Sequence, residues 1–489
     1  MKKQMLLFLA IELTASFANA ESTPVPNDVV TINPSVSWGS WDGWGVSFAW
    51  WAKVFGDRKD VADMLYTTGT VNLEGQKLPG LGLTIARYNA GACSENEVDG
   101  RKMVVSKIIT PFRQIEGFWL DGKSADPQSP NWDWRADANQ RAMLLMARER
   151  GANRFELFSN SPMWWMCANN NPSGAAIKTA DNLPSKNYEK FATYLATITA
   201  YAKAHWGIAF TSVEPFNEPI SGWWFDNCKQ EGAYFSQRSQ QAFLPILRSE
   251  LDRQGLKGTH IAASDETNYD QALKTWTSFN ASTHSLVDQV NVHGYQGVKG
   301  PRAALYAAVV ERDKKPLWNS EYGDKFADGL EMARCLNLDL AHLHPTAWCY
   351  WQALDGGNNG GWGLLGGDLV KKTIATANPK YFVLAQYTRH LRPGMTILES
   401  GAQNTVAAYD PTTHRLVLVA FNDGPAREAT YDLSRFASAR DPITRWLTEP
   451  LAATRYAPQP SLSLAGKTLK AVLPADSIQT FEIEGVSLR

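Results

Sequence analysis

The chain is short of several things that would direct it toward familiar functions. Its 489 residues hold only five cysteines, at positions 93, 167, 228, 335 and 349, and no Cys-x-x-Cys pair. The eight histidines form no cluster with metal-ligand spacing, so neither a zinc site nor another metal is expected. The net charge of −1 has no excess of either sign. Nucleic acid and anionic membrane are therefore not expected partners. There is no Gly-x-Ser-x-Gly elbow for a serine hydrolase and no glycine fingerprint for a dinucleotide. Beyond residue 20 no apolar run is long enough to span a bilayer. Internal repeats, low-complexity tracts and flexible linkers are absent as well.

What is abundant is tryptophan, 19 residues against 10 methionines. Several sit among Gly, Asn and Asp, as in Trp41-Asp42-Gly43-Trp44 and Asn359-Gly360-Gly361-Trp362. A single Trp is ordinarily core, but a flat indole with one N–H donor in such a loop suits the apolar face and hydroxyl rim of a sugar. Residues 1–20 have the pattern of a secretory signal: Lys2 and Lys3, an apolar stretch, then Ala18-Asn19-Ala20. Export, to the medium or a periplasm, would permit disulfides. An odd number of cysteines leaves at least one over, and a Cys167–Cys228 bridge between two loops is one arrangement open to the chain.

From about 44 to 391 the chain alternates short apolar runs with longer segments of helical periodicity. Eight strand-like runs are predicted at 45–49, 83–89, 155–160, 213–218, 261–266, 290–295, 317–323 and 347–352. Helices are predicted at 137–150, 187–206, 236–254 and 327–343. Eight β–α units imply a parallel sheet closed as a (β/α)₈ TIM barrel, with loop insertions at 91–135 and 161–186. After Pro393-Gly394 the periodicity becomes two, which predicts an attached all-β sandwich; 29–33 reads as a strand that joins it.

Two predicted strands end on a glutamate: Phe216-Asn217-Glu218-Pro219 and Trp318-Asn319-Ser320-Glu321. Strands four and seven of such a barrel face each other across its mouth. One protonated and one ionised carboxyl on opposed strands are what glycosidic cleavage requires. Other strand ends are equally polar. Arg87 and Asn89 end strand two, and a guanidinium there would keep a carboxylate ionised. Asn217 can bond a sugar hydroxyl. His293 and Tyr295 end strand six, the tyrosine placed to hold a nucleophile and the histidine to line the sugar site. Trp351 ends strand eight as a platform. Trp164 and Trp165 follow strand three, Asp42 and Trp44 flank strand one, and Trp362 lies in a Gly/Asn loop; all are candidate sugar contacts. Asp265 and Glu266 end strand five with no role assigned.

Seven segments in order (41–47, 86–91, 159–166, 216–219, 292–295, 318–323 and 350–352) resemble glycoside hydrolase family 30 over nearly the whole chain, and within it the secreted endo-β-1,6-galactanases. The resemblance implies a catalytic barrel over 44–391 and a sandwich built from both chain ends, 21–43 and 392–489. It implies retention by double displacement, with Glu218 as acid/base and Glu321 as nucleophile. It further implies an endo-acting monomer on β-1,6-galactan, such as arabinogalactan side chains, with no cofactor. β-1,6-Glucan cleavage by the same chemistry, and galactan binding without hydrolysis, are the alternatives.

Overall fold

The computed structural model describes residues 28–356 and 360–489. The leader-like segment 1–20 and residues 357–359 of the Trp362 loop lie outside them. Eight parallel strands close into a barrel: β1 Gly43–Ser47, β2 Ile85–Asn89, β3 Arg154–Phe158, β4 Ser212–Glu214, β5 His260–Glu266, β6 Gln289–His293, β7 Leu317–Tyr322 and β8 Ala347–Tyr350. Every residue of β1, β2 and β6–β8 is buried, as expected for strands covered on the inside by barrel contents and on the outside by helices. Gly45 is where strand one admits its neighbours. A Cβ there would lie 2.6 Å from Cys349 Sγ and 2.8 Å from Ile85 Cβ.

The predicted helices form at Ala138–Glu149, Tyr188–Tyr201, Gln237–Arg253 and Leu330–Leu338; the second and fourth continue into single π-helical stretches at Ala202–Trp206 and Asp339–Leu343. Among the described residues no helix is long and apolar enough to cross a membrane.

β4 is shorter than predicted. It stops at Glu214, because Pro215 and Pro219 have no N–H to offer a ladder, and the chain from 215 to 219 is a loop. Strand signals were also missed at Ser438–Thr448 and Ala457–Leu462, whose charged and proline-containing sequences blur the alternation.

Behind the barrel, Asp28–Thr31 pairs in parallel with Arg427–Asp432, which pairs with Thr468–Leu473. A second, seven-stranded sheet runs from Asn33–Ser40 through Thr396–Glu399, Thr405–Asp410, Arg415–Asn422, Ser477–Ser487 and Ser438–Thr448 to Ala457–Leu462. Its central strand shows why the parts are bound together. Leu416, Leu418 and Ala420 face the sandwich core with Tyr431, Phe481 and Ile483. Val417, Val419 and Phe421 face the barrel core, with Tyr387 of the helix Pro379–Thr388. A period-two strand with both faces apolar joins two cores.

All five cysteines are buried free thiols. The Cys167–Cys228 bridge does not form; Cys167 Sγ instead faces the carbonyls of Pro162 and Met163 at 3.6 and 3.7 Å.

The barrel-facing residues of the sandwich should carry measurable stability. Phe421→Ala is expected to cost about 3–5 kcal/mol, read as a lower urea midpoint with an unchanged slope. An unchanged midpoint would show that the seam contributes nothing.

Candidate active site

The C-terminal end of the barrel opens into a cleft of about 730 Å³ lined by Asn217, Glu218, Tyr295, Glu321, Trp351 and Trp362, together with Trp50, Arg113, Trp223 and Phe225. Glu218 reaches it from the loop after β4. Its backbone is left-handed, φ 51°, a conformation costing a non-glycine residue on the order of 1 kcal/mol or more. Two hydrogen bonds hold it there: its N–H donates to the Asp265 carbonyl at 2.9 Å, and its carbonyl accepts from Trp224 Nε1 at 2.8 Å. Glu321 is part of β7 itself, in register with His293 of β6.

The two carboxyl groups converge. One oxygen of Glu218, one of Glu321 and a ring nitrogen of His293 all lie within 4.8 Å of one another. Oxygens this close are compatible with direct attack on the sugar by one of the carboxylates. Tyr295 donates its hydroxyl to Glu321 Oε1 at 2.8 Å, and Arg87 Nη1 donates to Oε2 at 3.2 Å. His293 Nδ1 is 3.2 Å from Glu218 Oε1 and 3.5 Å from Glu321 Oε1.

A completely buried ion network backs the pair. Arg87 also donates to Glu156 Oε1 at 2.8 Å, Asp265 Oδ2 at 2.6 Å and Ser47 Oγ at 2.9 Å. Glu156 is held in turn by Ser212, Gln289 and Asn291. His293 Nε2 lies 3.1 Å from Asp265 Oδ1. Burial opposes the imidazolium, but Asp265 and Glu321 more than offset it and raise the His293 pKa well above its usual value. The Glu218–His293–Glu321 cluster has the donor types for a cation.

The sequence assigned Arg87 the task of keeping Glu321 ionised. Arg87 and His293 do act in that direction, but burial is the larger effect. With Glu218 and Asp265 adding repulsion, it lifts Glu321 to about 7. The charge on Glu218 is one of the causes that raise Glu321.

Seven of the candidate sugar contacts do not line the cleft: Asp42, Trp44, Arg87, Asn89, Trp164, Trp165 and His293. Asp42 precedes β1 and so lies at the opposite end of the barrel, where it accepts from Thr346 and Trp318 and pairs with Arg154. Trp44 is buried with Trp41, Trp348 and Tyr387, its N–H donated to the Leu391 carbonyl. Trp164 and Trp165 are buried, with their N–H groups donated to Ser94 and to the Trp119 carbonyl. Their loop joins a stack in which Trp132 lies on Trp119 and Trp134, and Trp134 lies on Tyr201. Much of the tryptophan excess thus pins insertions to helices, while Trp223 and Trp362 remain 42% and 40% exposed. Asn89 is also buried behind the cleft wall, donating to Glu231. Arg87 and His293 sit beneath the cleft and touch its glutamates rather than its space. Sequence reasoning missed Trp50, Trp223, Glu156 and the role of Asp265. Glu156 carried a usable signal, a carboxylate inside an apolar strand directly across from Arg87 in register.

In Glu218→Gln one charge that raises Glu321 is gone, so Glu321 should ionise at lower pH. With an aryl glycoside whose leaving group needs no proton, the acid limb of kcat/KM should fall below its native position near 7. A limb that stays or rises would contradict the coupling.

Comparisons with known proteins agree with this geometry. A family model described as O-glycosyl hydrolase family 30 matches residues 27–292. The chain is 47% identical over 492 residues to an endo-beta-1,6-galactanase of Hypocrea rufa, covering all of both proteins. It is 23% identical to an exo-beta-1,6-galactobiohydrolase of Bifidobacterium longum subsp. longum, over 67% of this chain and 27% of that one. Among solved structures, the catalytic domain of a GH30 xylanase C from Talaromyces cellulolyticus superposes with a TM-score of 0.69 at 20% identity, covering 93% of this chain and all of that one. A conserved exported protein from Bacteroides fragilis gives 0.74 at 20% identity, with the same coverage. The barrel, the attached sandwich, the opposed glutamates and the full-length match together place this chain in O-glycosyl hydrolase family 30.

Proposed function

We propose that the protein is a retaining endo-β-1,6-galactanase. What carries the mechanism is the convergence of Glu218 and Glu321 within 4.8 Å. What supports the substrate is the end-to-end similarity to the Hypocrea rufa enzyme. Glu321, with Tyr295 and Arg87 donating to its two oxygens, is the nucleophile that attacks the anomeric carbon. Glu218 faces the cleft and protonates the departing oxygen. It then removes a proton from the water that releases the glycosyl-enzyme. His293 lies between the two and donates to whichever carboxylate carries charge.

Asn217 Oδ1 is a buried acceptor with no partner among the described residues, and Asn217 lines the cleft; a sugar hydroxyl would satisfy it. Trp351, packed edge-on to Trp50, and the half-exposed Trp362 offer aromatic faces to the ring. Trp223 and Phe225 add further aromatic lining to the same cleft, which suits a chain of sugars longer than one ring. Export, supported by the pattern of residues 1–20, and action as a monomer complete the reading.

Incubation with β-1,6-galactan, β-1,6-glucan and xylan, followed by product sizing, tests it. Galactose dimers and longer oligomers are expected from galactan alone. Galactose as sole product would mean exo action, glucan cleavage would move the specificity to glucose, and binding without new reducing ends would remove the enzyme reading. Glu321→Gly should lose on the order of 10⁴-fold or more in kcat, and azide should give it an inverted glycosyl azide. Glu218→Ala with azide and an activated substrate should give the retained one. The reverse pairing would exchange the two roles.

A further inference from the structure

Asp265 contacts Glu218, Arg87, His293 and Ser320 and does not line the cleft. It is completely buried at the end of β5. Its main-chain carbonyl accepts the Glu218 N–H at 2.9 Å. One carboxylate oxygen accepts from Arg87, the cation that donates to Glu321. The other accepts from Ser320, the residue before Glu321, and lies 3.1 Å from His293 Nε2. His293 presents its remaining nitrogen to both glutamates. Like Glu218, Asp265 is left-handed, with φ 54°. Two adjacent strained residues joined by a hydrogen bond at the cleft floor mark a place where the surrounding structure holds a geometry that the chain alone would not keep.

We propose that Asp265 is the positioning residue for both glutamates: its carbonyl sets the acid/base loop, and its charge holds Arg87 and a doubly protonated His293 against the two carboxyl groups. Neither duty involves contact with sugar. Nε2 makes a charge contact with Asp265 at 3.1 Å rather than an aligned hydrogen bond; a doubly protonated ring stabilised by that charge can only donate through Nδ1, so it orients Glu218 and Glu321 as acceptors rather than competing with them for a proton. The charged and titratable groups around that ring are Glu218 from the loop after β4, Asp265 from β5, Tyr295 beyond β6 and Glu321 from β7, with Arg87 of β2 behind Asp265. Without Asp265 the ring would retain two partial claims on its charge instead of three.

The inference rests on the two-glutamate reading of the site, and it can be tested apart from it. Labelling histidine with ¹⁵N and comparing with His293→Gln identifies the His293 ring signals. In the native protein both ring nitrogens should carry protons across the pH range of activity. A singly protonated native ring would overturn the proposal whether or not any substrate is turned over. Asp265→Asn keeps the shape, the carbonyl and a residue tolerant of left-handed backbone, and removes only the charge. In that variant one ring proton should be lost within the same range. kcat should fall about 10- to 100-fold, the usual scale for a group that acts through its neighbours, with KM little changed. A variant that keeps both ring protons and native kcat would refute the role of the charge. If the variant does not fold, the native measurement decides. Failure to cleave any glycan would instead count against the proposed function, leaving the ring-proton result standing.

Discussion

One buried guanidinium organises the catalytic end of this barrel. Arg87 on β2 is fully excluded from solvent and reaches carboxylates on β3, β5 and β7. A lone charge in that position would cost several kcal/mol, and so would each of the three acids without a cation. The arrangement is stable only when all are present with their hydrogen bonds, which ties the positions of four strands to one another. Nucleophile placement follows directly, because one of those three acids is Glu321. Acid/base placement follows through Asp265, whose carbonyl holds the loop that carries Glu218. The floor of the cleft is thus rigid because its charges are interdependent.

Electrostatics also set the charge on the nucleophile. Burial, with repulsion from Glu218 and Asp265, raises the Glu321 pKa, while Arg87, His293 and Tyr295 favour its anion. The sandwich contributes at a distance. Its central strand buries alternate residues in two different cores, so the sandwich braces the barrel through the helices Leu330–Leu338 and Pro379–Thr388.

Much of this was legible in the residues. Eight apolar runs separated by helical periods identified the barrel, because a buried parallel strand and an amphipathic helix have different periods. Glu218 and Glu321 were visible as carboxylates where apolar runs end, and Arg87, His293 and Tyr295 as polar residues at equivalent points. The tryptophans misled. Trp44, Trp164 and Trp165 have the composition of sugar-binding loops, but their N–H groups are satisfied by the chain and their rings are packed on other rings. Local composition does not report which face of a loop turns inward. Asp42 was misplaced for a simpler reason: a polar residue beside a strand marks either end, and only the strand's direction within the barrel tells mouth from base.

The sequence by itself determined the period of each element, the number of β–α units, and which acids and bases would lie near strand termini. These are local properties, decided by side-chain alternation and by residues that cannot continue a ladder. Tertiary structure alone decided that Glu218 stands beyond its strand in a left-handed turn, that its oxygen comes within 4.8 Å of Glu321, and that Asp265 underlies both. Barrel closure brings residues more than a hundred positions apart into one desolvated network, and only there do their charges acquire definite partners.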